Sequence, residues 1–272
     1  MQHLPAAIDV AAVSDTGRVR RNNEDSVWMG GSFIRTGVRS ARFELAARSG
    51  LLLAVADGVG GAAAGEVASQ RVVEMMADRV AADEFPDAAD ELMDRLKQYA
   101  GAVNRELVAE ARRRPDREGM ATTYTAVLLG ATGVWMNAGD SRLYALRGEQ
   151  LVQISRDHTL REESGDPSIP GNIITNCFGT AEGFYADTGE IDADNADAFL
   201  LCSDGLSDYA DMGRVADVLR AVIGRHEQDR GDVPPDDAAV YLEHAARAAL
   251  QLALEGGGGD NVSLLIARPI YE

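Results

Sequence analysis

The candidate strands of this chain occur in consecutive blocks, and the helical patterns between those blocks come in pairs. Apolar residues recur with helical spacing in four places, at 72–80, 92–107, 215–223 and 238–252. A doubly wound parallel sheet would need a helix after each strand, so this order argues against that architecture. It predicts an α+β fold in which mostly antiparallel sheets are covered by helices on their outer sides. The predicted strands are 8–13, 26–29, 42–45, 51–56, 124–129, 134–138, 143–146, 151–154, 199–202 and 262–267.

Length and charge narrow the choice further. The 272 residues contain no repeat, no low-complexity tract and no linker long enough to divide them, so a single domain over 1–272 is predicted. Lysine and arginine number 26 against 44 aspartates and glutamates, which leaves a formal net charge of −18. This charge repels nucleic acid and anionic membranes, and we expect neither as a partner. A phosphate-bearing ligand must therefore be held by local chemistry or by a metal ion.

Targeting signals and cysteines bear on where the protein resides. The first ten residues, MQHLPAAIDV, lack the basic segment and long apolar core of a signal peptide. Residues 119–139 are uncharged but contain repeated threonine and glycine, so two strands joined by GATG are predicted there instead of a membrane helix. Cys177 and Cys202 are interpreted as buried free thiols in a reducing compartment, with a single bridge as the alternative. We expect a soluble, cytoplasmic protein.

Three aspartates lie at the ends of predicted buried strands. Asp57 follows LLLAVA and Asp204 follows FLLCS, each with a glycine after it, while Asp260 precedes the last strand. Carboxylates gathered without a cation suffer desolvation and mutual repulsion, and they are the ligands that Mg²⁺ and Mn²⁺ prefer. Each Asp-Gly pair taken alone is more often an ordinary turn. Two such pairs after buried strands, together with Asp260, favour a metal site.

Three other ligand-binding patterns fit the sequence less well. Residues 58–63 match a dinucleotide-binding G-x-G-x-x-A pattern, but Asp57 would face the pyrophosphate and the elements that follow do not alternate as strand and helix. A Walker loop is excluded because Glu66, not lysine, follows Gly65. The DAD segment at 192–194 lacks the glycine and glutamate of an EF-hand. The four histidines are scattered and define no Ser-His-Asp arrangement.

Seven short blocks resemble, in chain order, those of the metal-dependent protein phosphatases of type 2C. The first is SDTGRVRRNNED at 14–25. The others are DGVGG at 57–61, ATT at 121–123, GDSR at 139–142, DHT at 157–159, DGLSD at 204–208 and GDN at 259–261. The resemblance covers nearly the whole chain. It implies a four-layer α/β/β/α sandwich, with two antiparallel sheets face to face and helices outside each, and hydrolysis of phosphoserine and phosphothreonine.

The resemblance also implies roles for individual residues. The implied metal ligands are Asp57, Asp204, Asp260 and the carbonyl oxygen of Gly58. Asp57 would bridge two ions. Arg20 resembles the arginine that binds the substrate phosphate, although outside this motif it would be one more exposed arginine.

Four further acids belong to the implied site. Glu24 and Asp25 would act through waters or as neighbours of the metal cluster. Asp140 and Asp208 match positions that hold a weaker third metal in compact bacterial members, whereas Asp140 with Ser141 could simply form a turn. The implied cofactors are two Mn²⁺ or Mg²⁺ ions with a weaker third ion, and the ligand types suit either metal.

The implied mechanism is in-line attack on phosphorus by a water that two metal ions activate, without a phosphoenzyme. The guanidinium of Arg20 would bind the phosphoryl oxygens in a bidentate fork that lysine cannot reproduce. The implied partners are phosphorylated proteins, including a Ser/Thr kinase or its substrates, in a signalling role. We expect the protein to be a monomer.

The sequence departs from the family pattern in three places. Val59 occupies the position of a histidine that is proposed as general acid in many eukaryotic members, so no general acid is assigned. Ala121 replaces a glycine that usually precedes the two threonines. The flap region at 157–179 is short, contains two prolines and lacks an arginine that relatives commonly have. We expect substrate preference to be set in this flap region.

Some charged and polar residues near these blocks are interpreted as structural. Arg142 and Asn261 are predicted to be pairing or capping residues. Residues 112–114, three arginines among Glu110, Asp116 and Glu118, are predicted to be a solvated helix end. These assignments leave them outside the implied catalytic site.

A catalytically silent pseudophosphatase, which would keep the fold as a regulatory binding module, is the alternative function. That interpretation expects at least one missing metal ligand, and none of the implied ligands is missing here. Because sites and not folds decide function, the complete site favours the enzyme.

Overall fold

The computed structural model describes residues 4–45, 50–59, 64–83, 86, 88–130, 132–228 and 239–271. Within these residues the chain forms twelve strands, six α-helices and two short 3₁₀ helices. The strands are β1 (Ala7–Asp15), β2 (Ser26–Met29), β3 (Ser32–Ile34), β4 (Gly37–Glu44), β5 (Leu51–Ala56), β6 (Tyr124–Leu129), β7 (Val134–Ala138), β8 (Arg142–Arg147), β9 (Gln150–Gln153), β10 (Asp187–Glu190), β11 (Ala198–Cys202) and β12 (Val262–Ile270). The helices are α1 (Gly65–Ala81), α2 (Ala89–Arg113), α3 (Leu160–Ser164), α4 (Asp204–Ser207), α5 (Met212–Gln228) and α6 (Val240–Glu255), with 3₁₀ turns at Pro115–Arg117 and Ala193–Asn195.

The strands form two six-stranded sheets, and the strand pairings among the described residues are antiparallel. The first sheet has the order β4-β1-β12-β11-β8-β9, and the second has the order β10-β7-β6-β5-β2-β3. Helices α5 and α6 pack on the first sheet, and α1 and α2 pack on the second. The predicted four-layer α/β/β/α sandwich of antiparallel sheets is therefore confirmed.

Alternation of side chains along the strands produces three apolar layers. In β5, Leu53 and Val55 pack in the layer between the two sheets, whereas Leu52 and Ala54 pack in the layer beneath α1 and α2. A strand projects successive side chains to opposite faces, so a strand covered on both sides must be apolar at every position. This explains why LLLAVA is an unbroken apolar run, and why its position in the fold is central.

The predicted strands are all present, with bounds that differ by up to several residues. Strands β3 and β10 were not predicted because β3 has three residues and β10 is the polar sequence DTGE. Both are edge strands, formed by pairing with β2 and β7 and not by a pattern of their own. The four predicted helices correspond to α1, α2, α5 and α6, although the pattern of the last begins at Ala238, which lies outside the described residues.

The uncharged segment 119–139 and the two cysteines have the structures predicted for them. The segment contains β6 and β7, which pair with each other. Cys177 and Cys202 are buried free thiols. Among the residues that the structure describes, the helices are too short or too polar to cross a membrane.

Candidate active-site cleft

A cleft of about 290 Å³ lies where β5 and β11 end and β12 begins. Most of the residues that the sequence implies for the site line this cleft, although they come from distant parts of the chain. The lining residues are Arg20, Glu24, Asp57, Gly58, Val59, Thr123, Asp140, Asn172, Ile174, Asp204, Asp260 and Asn261. Asp25 and Asp208, the two remaining predicted residues, are not part of the lining.

Asp57 is fixed at the end of β5 by the neighbouring strand β6. Its backbone N–H donates to the Thr123 hydroxyl at 2.9 Å, and its carbonyl accepts from the Thr123 N–H at 2.9 Å. The Thr122 hydroxyl donates to the same carbonyl at 2.7 Å. The two threonines of the ATT block therefore hold the backbone of Asp57, and its carboxylate is left to face the cleft.

Asp204 and Asp260 are brought together by the antiparallel pairing of β11 and β12. Cys202 at the end of β11 is opposite Leu264 near the start of β12, and the Ser203 N–H donates to the Ser263 carbonyl at 3.0 Å. The end of one antiparallel strand necessarily meets the start of its neighbour. Residues that follow β11 and precede β12 are therefore neighbours in space, although more than 50 positions separate them.

Gly205 permits this approach because it has no side chain. A Cβ at residue 205 would lie 1.9 Å from the carbonyl oxygen of Asn261. We expect Gly205→Ala to lower the free energy of unfolding by about 2–3 kcal/mol, because the backbone on one side must shift. Urea denaturation measures this change. The matched control is Gly224→Ala in α5, where a Cβ meets open space and should stabilise the helix by about 0.5–1 kcal/mol; equal effects of both substitutions would contradict the steric explanation.

Asn261 ties the segment that carries Arg20 and Glu24 to the start of β12. Its side-chain oxygen accepts from the Glu24 N–H at 2.8 Å, and its amide donates to the carbonyls of Thr16 and Asn22 at 3.0 and 2.8 Å. These bonds to backbone groups give Asn261 a structural role, as predicted for a pairing or capping residue. They place Glu24 beside the cleft independently of its own side chain.

The buried carboxylates of the site resist ionisation. Burial, followed by repulsion from neighbouring aspartates, raises the pKa of Asp57 well above its usual value. Burial and Asp260 raise the pKa of Asp204 to about 6. Burial raises the pKa of Asp25 to about 7, against the hydroxyls of Ser263 and Ser203, which favour the charged form. Strong mutual shifts of this kind are expected where acids converge on a functional centre.

Two buried carboxylate oxygens in this group have no hydrogen-bond partner among the described residues, Asp25 Oδ1 and Asp204 Oδ1. A buried oxygen without a partner is costly unless a ligand satisfies it. The groups that face the cleft are mainly carboxylate, carbonyl and amide oxygens, the donors that hard divalent cations prefer. The oxygen donors of the cleft therefore suit Mg²⁺ or Mn²⁺, and a bound cation would offset the repulsion among the carboxylates.

Arg20 and Asp260 form an ion pair at the rim of the cleft. The Arg20 Nη2 atom lies 2.8 Å from Asp260 Oδ2, and this pairing, followed by attraction to Glu24 and Asp57, raises the pKa of Arg20. Within the described part of the chain, no three histidine, cysteine or acidic side chains stand in an arrangement that could hold a metal ion as it is. Because Arg20 already occupies the Asp260 carboxylate, a cation that binds to Asp260 would compete with Arg20 for it.

Asp140 lies in the turn between β7 and β8. A turn at this position was the structural alternative to metal binding in the sequence analysis. Burial, followed by repulsion from Asp204, raises the pKa of Asp140 to about 7. His158 holds this turn: the His158 N–H donates to the Gly139 carbonyl at 3.0 Å, and Nδ1 accepts from the Gly139 N–H at 3.2 Å. The opposite ring nitrogen, Nε2, lies 3.1 Å from Asp187 Oδ2. The position of Asp140 therefore depends on a histidine whose role the sequence did not reveal.

Asp208 directly follows the short helix α4 and is exposed, outside the lining of the cleft. Partial desolvation of its carboxyl is the main cause that raises its pKa, and the nearby Arg142 opposes that shift. Arg142 is held by Asp157 in a bidentate pair, with 3.0 Å between Nε and Oδ1 and 2.6 Å between Nη2 and Oδ2. This pair confirms the structural role predicted for Arg142.

The flap region at 157–179 is attached to the core at both of its ends. Near its start, the His158 N–H donates to the Gly139 carbonyl at 3.0 Å. Within the flap region itself, Thr159 pairs with Ile174 in an isolated antiparallel bridge. At its end, Phe178 pairs with Thr122, which in turn pairs with Gly58. Between the two attachments, Asn172 and Ile174 line the cleft. The flap region therefore contributes directly to the walls of the cleft.

The fold and the cleft together define a class of protein. It is a four-layer sandwich in which strand ends gather buried carboxylates beside one arginine, as the sequence resemblance implies. A family model described as protein phosphatase 2C matches residues 42–237 of this chain. The chain therefore belongs to the protein phosphatase 2C family. Of its DGVGG block, Gly60 and Gly61 lie outside the described residues.

Individual relatives support the same assignment. The chain is 33% identical to the serine/threonine protein phosphatase PstP of Mycobacterium tuberculosis over 98% of its own length, but it spans only 46% of that relative. The structure is similar to that of the serine/threonine phosphatase Stp1 from Staphylococcus aureus, with a TM-score of 0.77 and 26% identity over 98% of this chain and 97% of the other. It also matches the catalytic domain of PstP in complex with two manganese ions, with a TM-score of 0.69 and 33% identity over 97% and 99% of the two chains.

Proposed function

We propose that this chain is a metal-dependent protein phosphatase that hydrolyses phosphoserine and phosphothreonine, acting as a single domain in the cytoplasm. The observation that carries the proposal is the convergence of Asp57, Asp204 and Asp260 with Arg20 on one cleft. The relatives described above are named as serine/threonine phosphatases, which supports the same reaction. In a cell the activity would oppose a Ser/Thr kinase on phosphoprotein substrates.

Asp57, Asp204, Asp260 and the Gly58 carbonyl would hold the divalent ions. The manganese ions in the PstP catalytic domain support this assignment, as do the unpartnered oxygens in the cleft. When bound, a pair of Mn²⁺ or Mg²⁺ ions lowers the pKa of water so that hydroxide is available at neutral pH. The ligand set suits either ion.

Arg20 would bind and orient the phosphoryl group. Its guanidinium is half exposed at the rim of the cleft and paired with Asp260, so it can exchange one anionic oxygen for another. A planar fork matches two phosphoryl oxygens at once. Its positive charge also offsets the repulsion that a phosphate meets from a protein with a net charge of −18. Holding the phosphorus in line is the main contribution of such a site to phosphoryl transfer.

The remaining acids would support this centre from behind and beside it. Asp25 is buried and its Oδ2 accepts from the Ser203 hydroxyl at 2.8 Å, while its Oδ1 has no partner among the described residues and would hold an ordered water. Glu24 lines the cleft and would act in the same way. Asp140 and Asp208 would hold a weaker third ion. Val59 lines the cleft where many eukaryotic relatives have histidine, so we assign no side chain to protonation of the leaving group.

A pseudophosphatase would explain the fold but not the complete set of acids. Nothing in the comparisons favours that alternative, because the relatives described above are named as phosphatases. The decisive assay follows hydrolysis of peptides that carry phosphoserine, phosphothreonine or phosphotyrosine, with millimolar Mn²⁺ and then with excess chelator. We expect hydrolysis of the first two peptides only, and only with metal. No hydrolysis with Mn²⁺, or equal rates with chelator, would overturn the proposal.

Arg20→Lys tests the role of the guanidinium. We expect kcat/KM for a phosphopeptide to fall about 10- to 100-fold, because lysine keeps the charge but loses the paired hydrogen bonds. Steady-state kinetics should show the loss in both kcat and KM, because the guanidinium both binds and orients the phosphoryl group. Arg21→Lys, a change at an exposed neighbour, is the matched control and should leave kcat/KM unchanged. Wild-type kinetics in Arg20→Lys would show that charge alone is sufficient.

A further inference from the structure

A groove of about 350 Å³ lies between α2 and the chain just after the flap region, and it shares no lining residue with the cleft. It is lined by the stretch of α2 from Asn104 to Arg113 and by Ala181, and three of its side chains are arginines. Arg105 and Arg112 are seven residues apart and so share one face of the helix, with Arg113 beside them. We call this feature the arginine groove.

The acids nearest in sequence to these arginines are engaged elsewhere. Glu106, Glu110 and Asp116 pair with arginines outside the groove. The partners are Arg79 for Glu106, Arg71 and Arg117 for Glu110, and Arg114 and Arg117 for Asp116. Within the described residues, the side chains of Arg105, Arg112 and Arg113 have no recorded ion pair or hydrogen bond. Arg112, Arg113 and Arg114 are exposed at the end of α2, which confirms the prediction of a solvated helix end.

Other exposed arginines of the described chain also lack a partner, but in the arginine groove three of them line one concave surface. Each presents a planar set of donors that matches a carboxylate or a phosphate. A concave surface that contains all three is suited to an anionic group. The net charge of −18 disfavours a long polyanion such as nucleic acid, so a short acidic stretch of a protein is the better match.

A short series of contacts connects the arginine groove to the cleft, and it limits the distance between them. Asn104 accepts from the Gly179 N–H at 2.7 Å and donates to the Thr180 carbonyl at 2.8 Å, which fixes Ala181 beside the groove. Phe178 pairs with Thr122, and Thr122 with Gly58. Three residues of chain span at most ~11 Å, and each bridge adds ~5 Å. Ala181 therefore lies within roughly 21 Å of Gly58, a distance that about seven extended residues can cover.

We propose that the arginine groove binds an acidic segment of the phosphoprotein substrate, about seven or more residues from the phosphoresidue that occupies the cleft. This inference rests on the proposed function and names a docking element for it. The second contact makes binding of the phosphoresidue effectively intramolecular, and so it lowers KM without a change in the chemical step.

The test compares two phosphothreonine peptides, one with a glutamate-rich segment and one with a glutamine-rich segment in its place. The segment lies eight to twelve residues from the phosphothreonine, and it is placed N-terminal to it in one pair of peptides and C-terminal in a second pair. The variant Arg105→Gln/Arg112→Gln/Arg113→Gln removes the groove charges. The variant Arg39→Gln/Arg147→Gln/Arg214→Gln changes three exposed arginines elsewhere, so it has the same net charge. An aryl phosphate reports the basal activity of each protein.

We expect wild-type protein to prefer the glutamate peptide by about tenfold in kcat/KM, through KM, with a preference that declines as salt is added. The groove variant should lose this preference, the control variant should keep it, and all three should hydrolyse the aryl phosphate equally. Equal loss in both variants would assign the effect to overall charge and overturn the proposal. Equal kcat/KM for the two peptides with wild-type protein would do the same.

A binding measurement separates this inference from the proposed function. Fluorescence anisotropy of a labelled glutamate peptide without phosphate measures docking even in a protein that hydrolyses nothing. We expect the groove variant to bind at least about fivefold more weakly than the wild type and the control variant. Equal affinities among the three proteins would sink the docking proposal, whereas absent hydrolysis with intact docking would sink only the proposed function.

Discussion

Asp204→Asn is expected to lower kcat by at least about a thousandfold while the fold stays intact. The substitution keeps the size of the side chain but replaces a carboxylate oxygen, and Asp204 Oδ1 is buried without a hydrogen-bond partner among the described residues. A neutral amide is a poor ligand for a hard cation and offsets none of its charge. Single-turnover and steady-state kinetics at saturating Mn²⁺, together with circular dichroism, provide the measurement.

The control for this substitution is Asp217→Asn, the same chemical change at an exposed residue of α5 that pairs with Arg220. It should leave kcat unchanged. Isothermal titration calorimetry with Mn²⁺ adds a second readout, in which Asp204→Asn should weaken binding and Asp217→Asn should not. Normal kcat in Asp204→Asn would remove Asp204 from the metal centre.

Without metal, the free energy of unfolding is expected to fall by several kcal/mol as the pH rises from about 4 to about 7. Asp204, with a pKa of about 6, and Asp25, with a pKa of about 7, bind protons in the folded state at pH values where the unfolded chain has released them. Stability decreases with pH wherever the folded state binds more protons than the unfolded state. Below the unfolded pKa both states are protonated, so the penalty vanishes there; above pH 7 it is complete.

Urea denaturation in chelator at a series of pH values measures this slope. Mn²⁺ should restore stability near pH 7, because a ligand that binds only the folded state stabilises it. In Asp57→Asn the slope should be shallower, since one buried acid and its repulsion of Asp25 and Asp204 are gone. If the free energy of unfolding in chelator stayed constant or rose with pH, the raised pKa values of these buried acids would be contradicted.

Much of the fold could be predicted because local patterns report which faces of each element are covered. The unbroken apolar run of β5 marked a strand buried on both sides, and the helical stripes marked α1, α2, α5 and α6. The strands β3 and β10 could not be predicted, because an edge strand needs no apolar pattern to pair with its neighbour. The roles of His158 and Asn104 could not be predicted for a related reason. Each side chain bonds to the backbone of a distant segment, and the residues next to it in sequence do not indicate that partner.

The order and type of the main elements, and the positions of the acids relative to the strand ends, follow from side-chain periodicity and glycine placement along short stretches of the chain. Three contacts do not follow from such local patterns: Asp57 of one sheet meets Asp204 and Asp260 of the other, Arg20 pairs with Asp260, and Glu110 pairs with Arg71 and Arg117 and not with the arginines beside it. Contacts between residues tens to hundreds of positions apart depend on how two sheets stack and where helices lie on them. Burial, and with it the strength of every charge interaction in the cleft, exists only once that stacking is complete.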